Sequence, residues 1–484
     1  MTSPTPPGHP VHAFSDDALG SDDATGVAAR IRSGEISAAE VAAAAIDRAE
    51  SLQPVLNAVQ HAAYDAGGST SPGADAVFAG VPTFVKDNAD VKGLPTNHGT
   101  EAFVARPAKA DGPVVTQLRS LGVTVLGKSR LPEFGFSAST EYAGAAPVRN
   151  PWDPRFSAGA SSGGSAALVA GGAVPLAHAN DGGGSIRIPA AACGLVGLKA
   201  TRGRVASDPA DRAMPVGIVA QGVVTRSVRD TARFLAAVEE HRRAPGLPPV
   251  RLVEGPGRTR LRVGVTLDSL GGAVTDEETR KAVLSVADLL SGLGHHVEEA
   301  APPAPDRFAD DFAAYWALLG ALISRTGRLA LGRDFDASRT DALTQGLART
   351  FRRQVLSTPG VVRRLRRSTA VYRTGFATHD VYLSPVLSHT TPEIGFLSPG
   401  LGFEELFERL RTYVAFTPLQ NATGTPAVSL PLAQSSRGLP IGVQLAGDLG
   451  DERTLLELAF ELEAARPFAR IQDAPGAALL TKGS

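Results

Sequence analysis

The sequence predicts an α/β protein whose sheet is covered by helices on both faces. Three observations carry this. Between Val81 and Val205 short apolar stretches alternate with helical runs and glycine- or proline-bearing turns. The β-branched run Gly122-Val123-Thr124-Val125-Leu126-Gly127 has the composition of a buried strand. At 484 residues the chain could hold one large domain or two to three average ones, and no internal repeat and no sharp composition shift marks a linker.

In chain order, an amphipathic helix begins near Asp22 (Ala28, Ile31), and a second is capped by Ser37 in Ser37-Ala38-Ala39-Glu40 (Val41, Ala45, Ile46). Ser69 to Ala76 is a turn of small residues. Ser165 to Ala173 reads as a buried helix, Arg260 to Val265 as a strand, and Val274 to Leu293 as an amphipathic helix. Asp276 and Glu277 open that helix, where their charge suits its dipole. From Ala300 to Arg373 the chain is rich in Ala, Leu and Arg and mostly helical. Arg352, Arg353, Arg363, Arg364, Arg366 and Arg367 read as a solvated helix face, because aromatics that would stack on bases are sparse there.

Composition excludes several classes of function. Lys and Arg number 48 against 49 Asp and Glu, a net charge of −1, so no overall field draws nucleic acid or an anionic membrane. One cysteine, Cys193, rules out an internal disulfide and any multi-cysteine metal site, and reads as a buried small apolar residue. Met1 to Gly20 has no apolar signal core, and no window of about twenty residues is uninterruptedly apolar. A cytoplasmic enzyme is the expectation.

The ten histidines show neither HxxxH nor HExxH spacing, so a metal site has little support. His295 and His296 fall in an exposed helix-to-strand turn. His178, just before Asp181, suits core packing or a hydrogen bond to the nearby loop. Gly122 to Ser129 matches GxxxxGK[ST], but its four central residues are apolar strand formers that cannot wrap phosphates.

Two glycine-rich turns carry the chemistry: Gly159-Ala160-Ser161-Ser162-Gly163-Gly164-Ser165 and Asp181-Gly182-Gly183-Gly184-Ser185-Ile186-Arg187. Embedded among apolar, structure-forming residues, they are not linkers. Glycine lets backbone N–H groups approach a ligand closely, and a serine there joins a nucleophile to oxyanion donors. With Ser185 as nucleophile, the N–H groups of Gly182, Gly183, Gly184 and Ser185 are the candidate oxyanion hole. A lysine acts as base only when neutral, so its pKa of about 10.4 must fall through burial. Lys86, in Val81-Pro82-Thr83-Phe84-Val85-Lys86-Asp87, fits better than Lys128 or Lys199. Its structural alternative is a salt bridge to Asp87 or Asp90.

These strings, with Gly127-Lys128-Ser129, Glu133-Phe134, Arg149-Asn150-Pro151-Trp152-Asp153-Pro154, Gly194-Leu195-Val196-Gly197-Leu198-Lys199, Asn421-Ala422-Thr423-Gly424-Thr425-Pro426-Ala427 and Gly438-Leu439-Pro440-Ile441-Gly442-Val443-Gln444, resemble the amidase signature family over about Ser33 to Arg466. The resemblance implies a single α/β/α domain with a mixed central sheet over about 13–475, between loose tails at 1–12 and 476–484, with no cofactor and frequent homodimers. It also implies a Ser–cis-Ser–Lys triad: Lys86 as base, Ser161 in a cis peptide as relay, Ser185 as nucleophile. A small-molecule amide would be cleaved through an acyl-enzyme. Two departures stand out: Ala160 replaces a usual glycine, and Gly182 replaces a usual threonine.

Within the family, the glutamyl-tRNA amidotransferase A-type subunit is the chief alternative. It usually carries Gln after Ser-Ile-Arg and a downstream Leu-Asp-Gln-Ile-Gly-Pro, where this chain has Ile188 and Val219-Ala220-Gln221-Gly222-Val223. A free-standing hydrolase is therefore favoured. His178-Ala179-Asn180-Asp181 and Thr390-Thr391-Pro392-Glu393-Ile394-Gly395 look most like amidases near the cyclic nylon-oligomer hydrolases. That likeness suggests hydrophobic, aryl, or linear or cyclic secondary amides, or carbamates, in a pocket walled by a helical region at about 300–398. The intact Lys86, Ser161 and Ser185 argue against a catalytically inactive binding protein.

Overall fold

A central sheet of eight strands organises the computed structural model, which describes residues 8–65 and 75–482. In spatial order the strands are His296–Glu299, Arg262–Val265, Val381–Pro385, Pro440–Ala446, Ala427–Gln434, Val196–Lys199, Ala220–Thr225 and Leu176–Asp181. The first three run parallel and every later pairing is antiparallel, so the sheet is mixed. Every residue of Val196–Lys199, Ala220–Thr225 and Leu176–Asp181 is buried. That pattern requires cover on both faces, and helices flank the sheet as expected.

A second sheet of three strands, Val59–Ala62, Thr124–Ser129 and Pro82–Lys86, lies beside the Leu176–Asp181 edge. Side chains span the join: Thr83 Oγ1 donates to Leu176 O at 3.1 Å, and Lys86 N–H donates to His178 Nδ1 at 3.2 Å. The strand Pro82–Lys86 is thereby pressed against the strand that leads into the Ser185 turn.

Local signals place the helices. Asp23 accepts from Gly26 N at the start of Ala24–Ser33, and Ser37 and Glu40 form a capping box on Ala38–Leu56. Asp276 caps Glu277–Gly292 through Thr279 N. The helix Gly163–Ala170 is buried at every position, directly after the first serine turn. Phe308–Ala330, Ala342–Gln354 and Thr358–Arg373 build a second apolar core around Tyr315, Leu347, Phe351 and Leu365. The region expected to be helical at about 300–398 also contributes Val381–Pro385, because that short apolar run is long enough to fill a central strand position.

Some expectations change. Both tails take part in structure: Val11–His12 pairs in parallel with Ala478–Leu479, since each supplies ladder partners the other lacks. The turn at 69–76 lies, except for its last two residues, outside the described residues. His296 is exposed, but His295 is buried, accepting from Leu261 N at 2.9 Å and meeting Glu461 at 3.0 Å. Thr124–Ser129 is a buried strand, so the phosphate-loop pattern has no loop. Arg352, Arg353, Arg363 and Arg367 are exposed, whereas Arg364 pairs with Asp311 and Arg366 donates to Pro215 O. Cys193 is buried and free. Among the described residues, no helix is long and apolar enough to cross a membrane.

Glu452 shows how the far side of the sheet is locked. Fully buried, it accepts from Thr201 N, Arg204 Nε and Arg204 Nη2, each at 2.7 Å. Removing Glu452 leaves Arg204 its second carboxylate, Glu239 at 2.8 Å, but strands the Thr201 N–H and the Arg204 Nε–H, at a cost of about 1–3 kcal/mol. Glu452→Ala is expected to lower the urea midpoint by a corresponding amount while a stoichiometric serine probe still labels the folded fraction. An unchanged midpoint would contradict this.

Candidate active site

Lys86 ends the strand Pro82–Lys86, fully buried, with Nζ 2.7 Å from Ser161 Oγ and 2.6 Å from Asn180 Oδ1. Neither Asp87 nor Asp90 pairs with it. Asp87, the first residue past the strand, instead brings Oδ1 within 2.7 Å of Lys128 Nζ, both side chains fully buried. Lys86 therefore has no carboxylate within ion-pair distance among the described residues. Burial draws its pKa down to about 7, against the opposing pull of Asp181 and then Asp211. Burial, aided by Arg187, also lowers Lys199 to about 7, but among the described residues its Nζ hydrogen-bonds only to Ala200 O. The contact with a serine singles out Lys86.

The Ala160–Ser161 peptide is cis, and Ala160 is fully buried. Ser161 is 3% exposed and faces Gly135 closely: a Cβ on Gly135 would lie 2.9 Å from Ser161 Oγ. Ser185, 9% exposed, has no hydrogen-bond partner for Oγ among the described residues. The structure thus joins Lys86 to Ser161 and leaves the Ser161–Ser185 bond unmade, with the Ser185 hydroxyl free to turn.

Asp181 and Arg187 shape the second serine turn. The Asp181 carboxylate accepts from Gly184 N at 2.7 Å, Ile186 N at 3.2 Å, Arg187 Nε at 2.9 Å and Asn421 Nδ2 at 2.8 Å. Burial opposes its charge, but Arg187 and the other donors hold it well below the usual carboxylate range. Arg187 in turn reaches Gln444 at 2.7 Å, Asn421 at 2.7 Å and Gln420 at 3.1 Å. Thr417 Oγ1 donates to Gly183 O at 2.6 Å from outside the turn.

This arrangement corrects the expected oxyanion hole. Gly184 N–H is consumed by Asp181, because the carboxylate that organises the turn takes the donor nearest it. The N–H groups of Gly182, Gly183 and Ser185 have no protein acceptor among the described residues. Gly184 is needed for shape: its φ is +131°, and a Cβ there would lie 2.3 Å from Thr417 Oγ1. A Cβ on Gly182 would lie 3.4 Å from Val219, and one on Gly183 would lie 3.8 Å from the Phe312 ring, so apolar side chains flank the turn.

Sequence reasoning missed Asn180 as the second holder of the Lys86 amine, and also Gln420 and Thr417. The signal for Asn180 was its period-two spacing from His178 in Leu176–Asp181, which puts both on the strand face toward Lys86. Gln420 and Thr417 carried no signal, being more than 200 residues from the turn they support. Among the described residues, no cluster of three His, Cys, Asp or Glu side chains is placed to hold a metal.

The amidase family profile matches residues 40–456. The chain belongs to the amidase signature family. It is 52% identical to "Putative amidase AmiC" of Mycobacterium leprae, across 96% of this chain and 99% of that protein. It is 36% identical to the 6-aminohexanoate-cyclic-dimer hydrolase of Paenarthrobacter ureafaciens, across 92% and 95%. A solved 6-aminohexanoate cyclic dimer hydrolase superposes with a TM-score of 0.85 at 33% identity, covering 96% of this chain and 99% of that one. The protein is accordingly an amide hydrolase acting on a carbon–nitrogen bond.

Arg187→Met is expected to strand the buried Asp181 charge and loosen the Ser185 turn. It should lower stability by about 3–5 kcal/mol and lower kcat in the protein that remains folded. Thermal denaturation and kcat measured on the same sample check this; wild-type values of both would refute it.

Proposed function

We propose that this amidase cleaves apolar amides through Ser185 as nucleophile, Ser161 as proton relay and Lys86 as general base. The observation that supports this best is the buried Lys86 amine, with no carboxylate partner among the described residues, 2.7 Å from Ser161 Oγ. A neutral amine has one lone pair and two N–H groups. Donation to Asn180 Oδ1, and more weakly to Asn180 O at 3.5 Å, leaves the lone pair to accept from the Ser161 hydroxyl.

In this mechanism Ser161 Oγ accepts the Ser185 proton as its own passes to Lys86. Ser185 Oγ attacks the carbonyl carbon, and negative charge develops on the carbonyl oxygen beside the free N–H groups of Gly182, Gly183 and Ser185. One such donor is worth about 3–4 kcal/mol of barrier. The relay returns a proton to the leaving nitrogen as the C–N bond breaks. Water then enters and attacks the Ser185 ester as its proton passes to the same relay, which returns it to Ser185 Oγ as the acid leaves.

Phe312 and Val219 beside the oxyanion turn favour a hydrophobic or aryl group on the acyl or amine side. Likeness to the cyclic-dimer hydrolase extends the proposed range to linear and cyclic secondary amides. Ile188 is 2% exposed and packs against Gly184, so it shapes the turn from behind and presents almost no surface to substrate.

A fluorophosphonate probe is expected to label wild type and not Ser185→Ala. Lys86→Ala and Ser161→Ala should each lower kcat by at least about 10²-fold, the scale of a lost general base, with the fold retained by circular dichroism. Near-wild-type turnover in Lys86→Ala would remove it as the base.

The sign of the pH effect follows from the Lys86 pKa. The amine is charged and inactive below about 7 and neutral above it, so kcat should rise tenfold per pH unit on the acid side and level off above about 7. A rate that rises as pH falls below 7 would contradict the assignment. Phe312→Ala should raise KM for anilides more than for acetamide-sized substrates.

A further inference from the structure

We propose that His178 is a positioning residue for the reaction: its Nδ1 replaces a strand carbonyl as acceptor for the Lys86 N–H, with Gln221 and Asp211 fixing the ring. This rests on the reading of Lys86 as base. The two sheets meet where Pro82–Lys86 lies beside Leu176–Asp181 without ladder pairing between them, so the Lys86 N–H needs another acceptor. His178 supplies it at 3.2 Å, and Asn180, two residues on along the same strand face, holds the Nζ end at 2.6 Å. One strand therefore grips Lys86 at main chain and side chain together.

The direction of every bond in the chain is fixed by its ends. A backbone N–H can only donate, so Nδ1 carries no proton and the neutral ring keeps its hydrogen on Nε2. Nε2 lies 3.0 Å from Gln221 Oε1 and donates to it; Gln221 Nε2 then donates to Asp211 Oδ2 at 2.8 Å. The His178 main chain is anchored separately, its carbonyl accepting from Ser165 Oγ at 2.7 Å. The imidazole is fully buried, and burial holds its pKa at about 4. Lys86 and Lys128, on the neighbouring strands, also oppose its charge, and the Asp211 carboxylate is kept one amide away. A protonated ring would set an Nδ1–H against the Lys86 N–H, two donors face to face, and push the strand end away from Ser161.

The test compares four proteins over pH 5–10. His178→Leu keeps the volume and loses the acceptor; kcat is expected to fall about 10²-fold, the cost of a misplacement near 1 Å, with KM within about twofold. His178→Asn restores an acceptor oxygen near the Nδ1 position and should recover most of that loss. The paired exchange Gln221→Glu with Asp211→Asn keeps net charge constant and moves the carboxylate onto the His178 ring. A carboxylate there raises the Lys86 step near 7 whatever the ring does, so the readout is the slope of the acid limb: a His178 ring that now gains a proton should steepen it from one towards two protons. A merely structural role would lower the rate and leave the slope at one. Wild-type kcat in His178→Leu, or a single-proton slope in the paired exchange, overturns the proposal. Lys86→Ala run alongside separates the two readings: retained turnover there overturns the base itself and the clamp with it. An inactive Lys86→Ala with an unimpaired His178→Leu keeps the base and discards only the clamp.

Discussion

A lysine amine sealed from water without a counter-ion is the constraint to which the rest of the site answers. A charged ammonium in that position would be heavily penalised by desolvation, so the surroundings favour the neutral form. The neighbouring carboxylates are placed accordingly. Asp87, just past the strand end, pairs with Lys128, while Asp181 is committed to Arg187 and to the N–H groups of the Ser185 turn. What remains near the Lys86 nitrogen, among the described residues, is the Ser161 hydroxyl and the side-chain and, more distantly, main-chain oxygens of Asn180. The proposed base chemistry depends on this allocation of charges more than on the presence of a lysine.

The Asp181–Arg187 pair has a second role, in geometry. A run of three glycines has little conformational preference of its own, so its shape must be imposed. Asp181 binds Gly184 and Ile186 from inside, Thr417 holds the Gly183 carbonyl, and Asn421 fixes Asp181 from a helix far along the chain. The outcome is that the N–H groups of Gly182, Gly183 and Ser185 have no acceptor among the described residues, while those of Gly184 and Ile186 are taken by Asp181. Motifs near residues 420 and 444 make sense in this light, since Gln420, Asn421 and Gln444 all converge on the Arg187 guanidinium.

Much of the architecture was legible because it rests on local rules. Asp23, Ser37 and Asp276 cap the helices their positions announce, and the β-branched run before Lys128 is a strand. The covered sheet follows from alternating elements, and its edges and joins do not. Val381–Pro385 was hidden inside a helical stretch, and the two chain ends looked loose because each lacks a local partner and finds one only in the other. The same reason separates His295 from His296: adjacent in sequence, one turns inward to Glu461 and the other to solvent.

By itself, the sequence determined the class of fold, the two serine turns, the lysine strand before them and membership of an amidase family, because those depend on residue type and spacing along the chain. Tertiary structure alone decided which buried lysine meets a serine, that Gly184 gives up its N–H to Asp181, and that Asn180 and His178 hold Lys86 from the neighbouring strand. Lys86 meets Ser161, His178 and Asn180 across 75 to 94 residues of chain, and the turn that Asp181 organises is held by Thr417 and Asn421 more than 200 residues further on. Hydrogen bonds and desolvation act over a few ångströms of space, and a linear pattern carries no record of which distant groups will share that space.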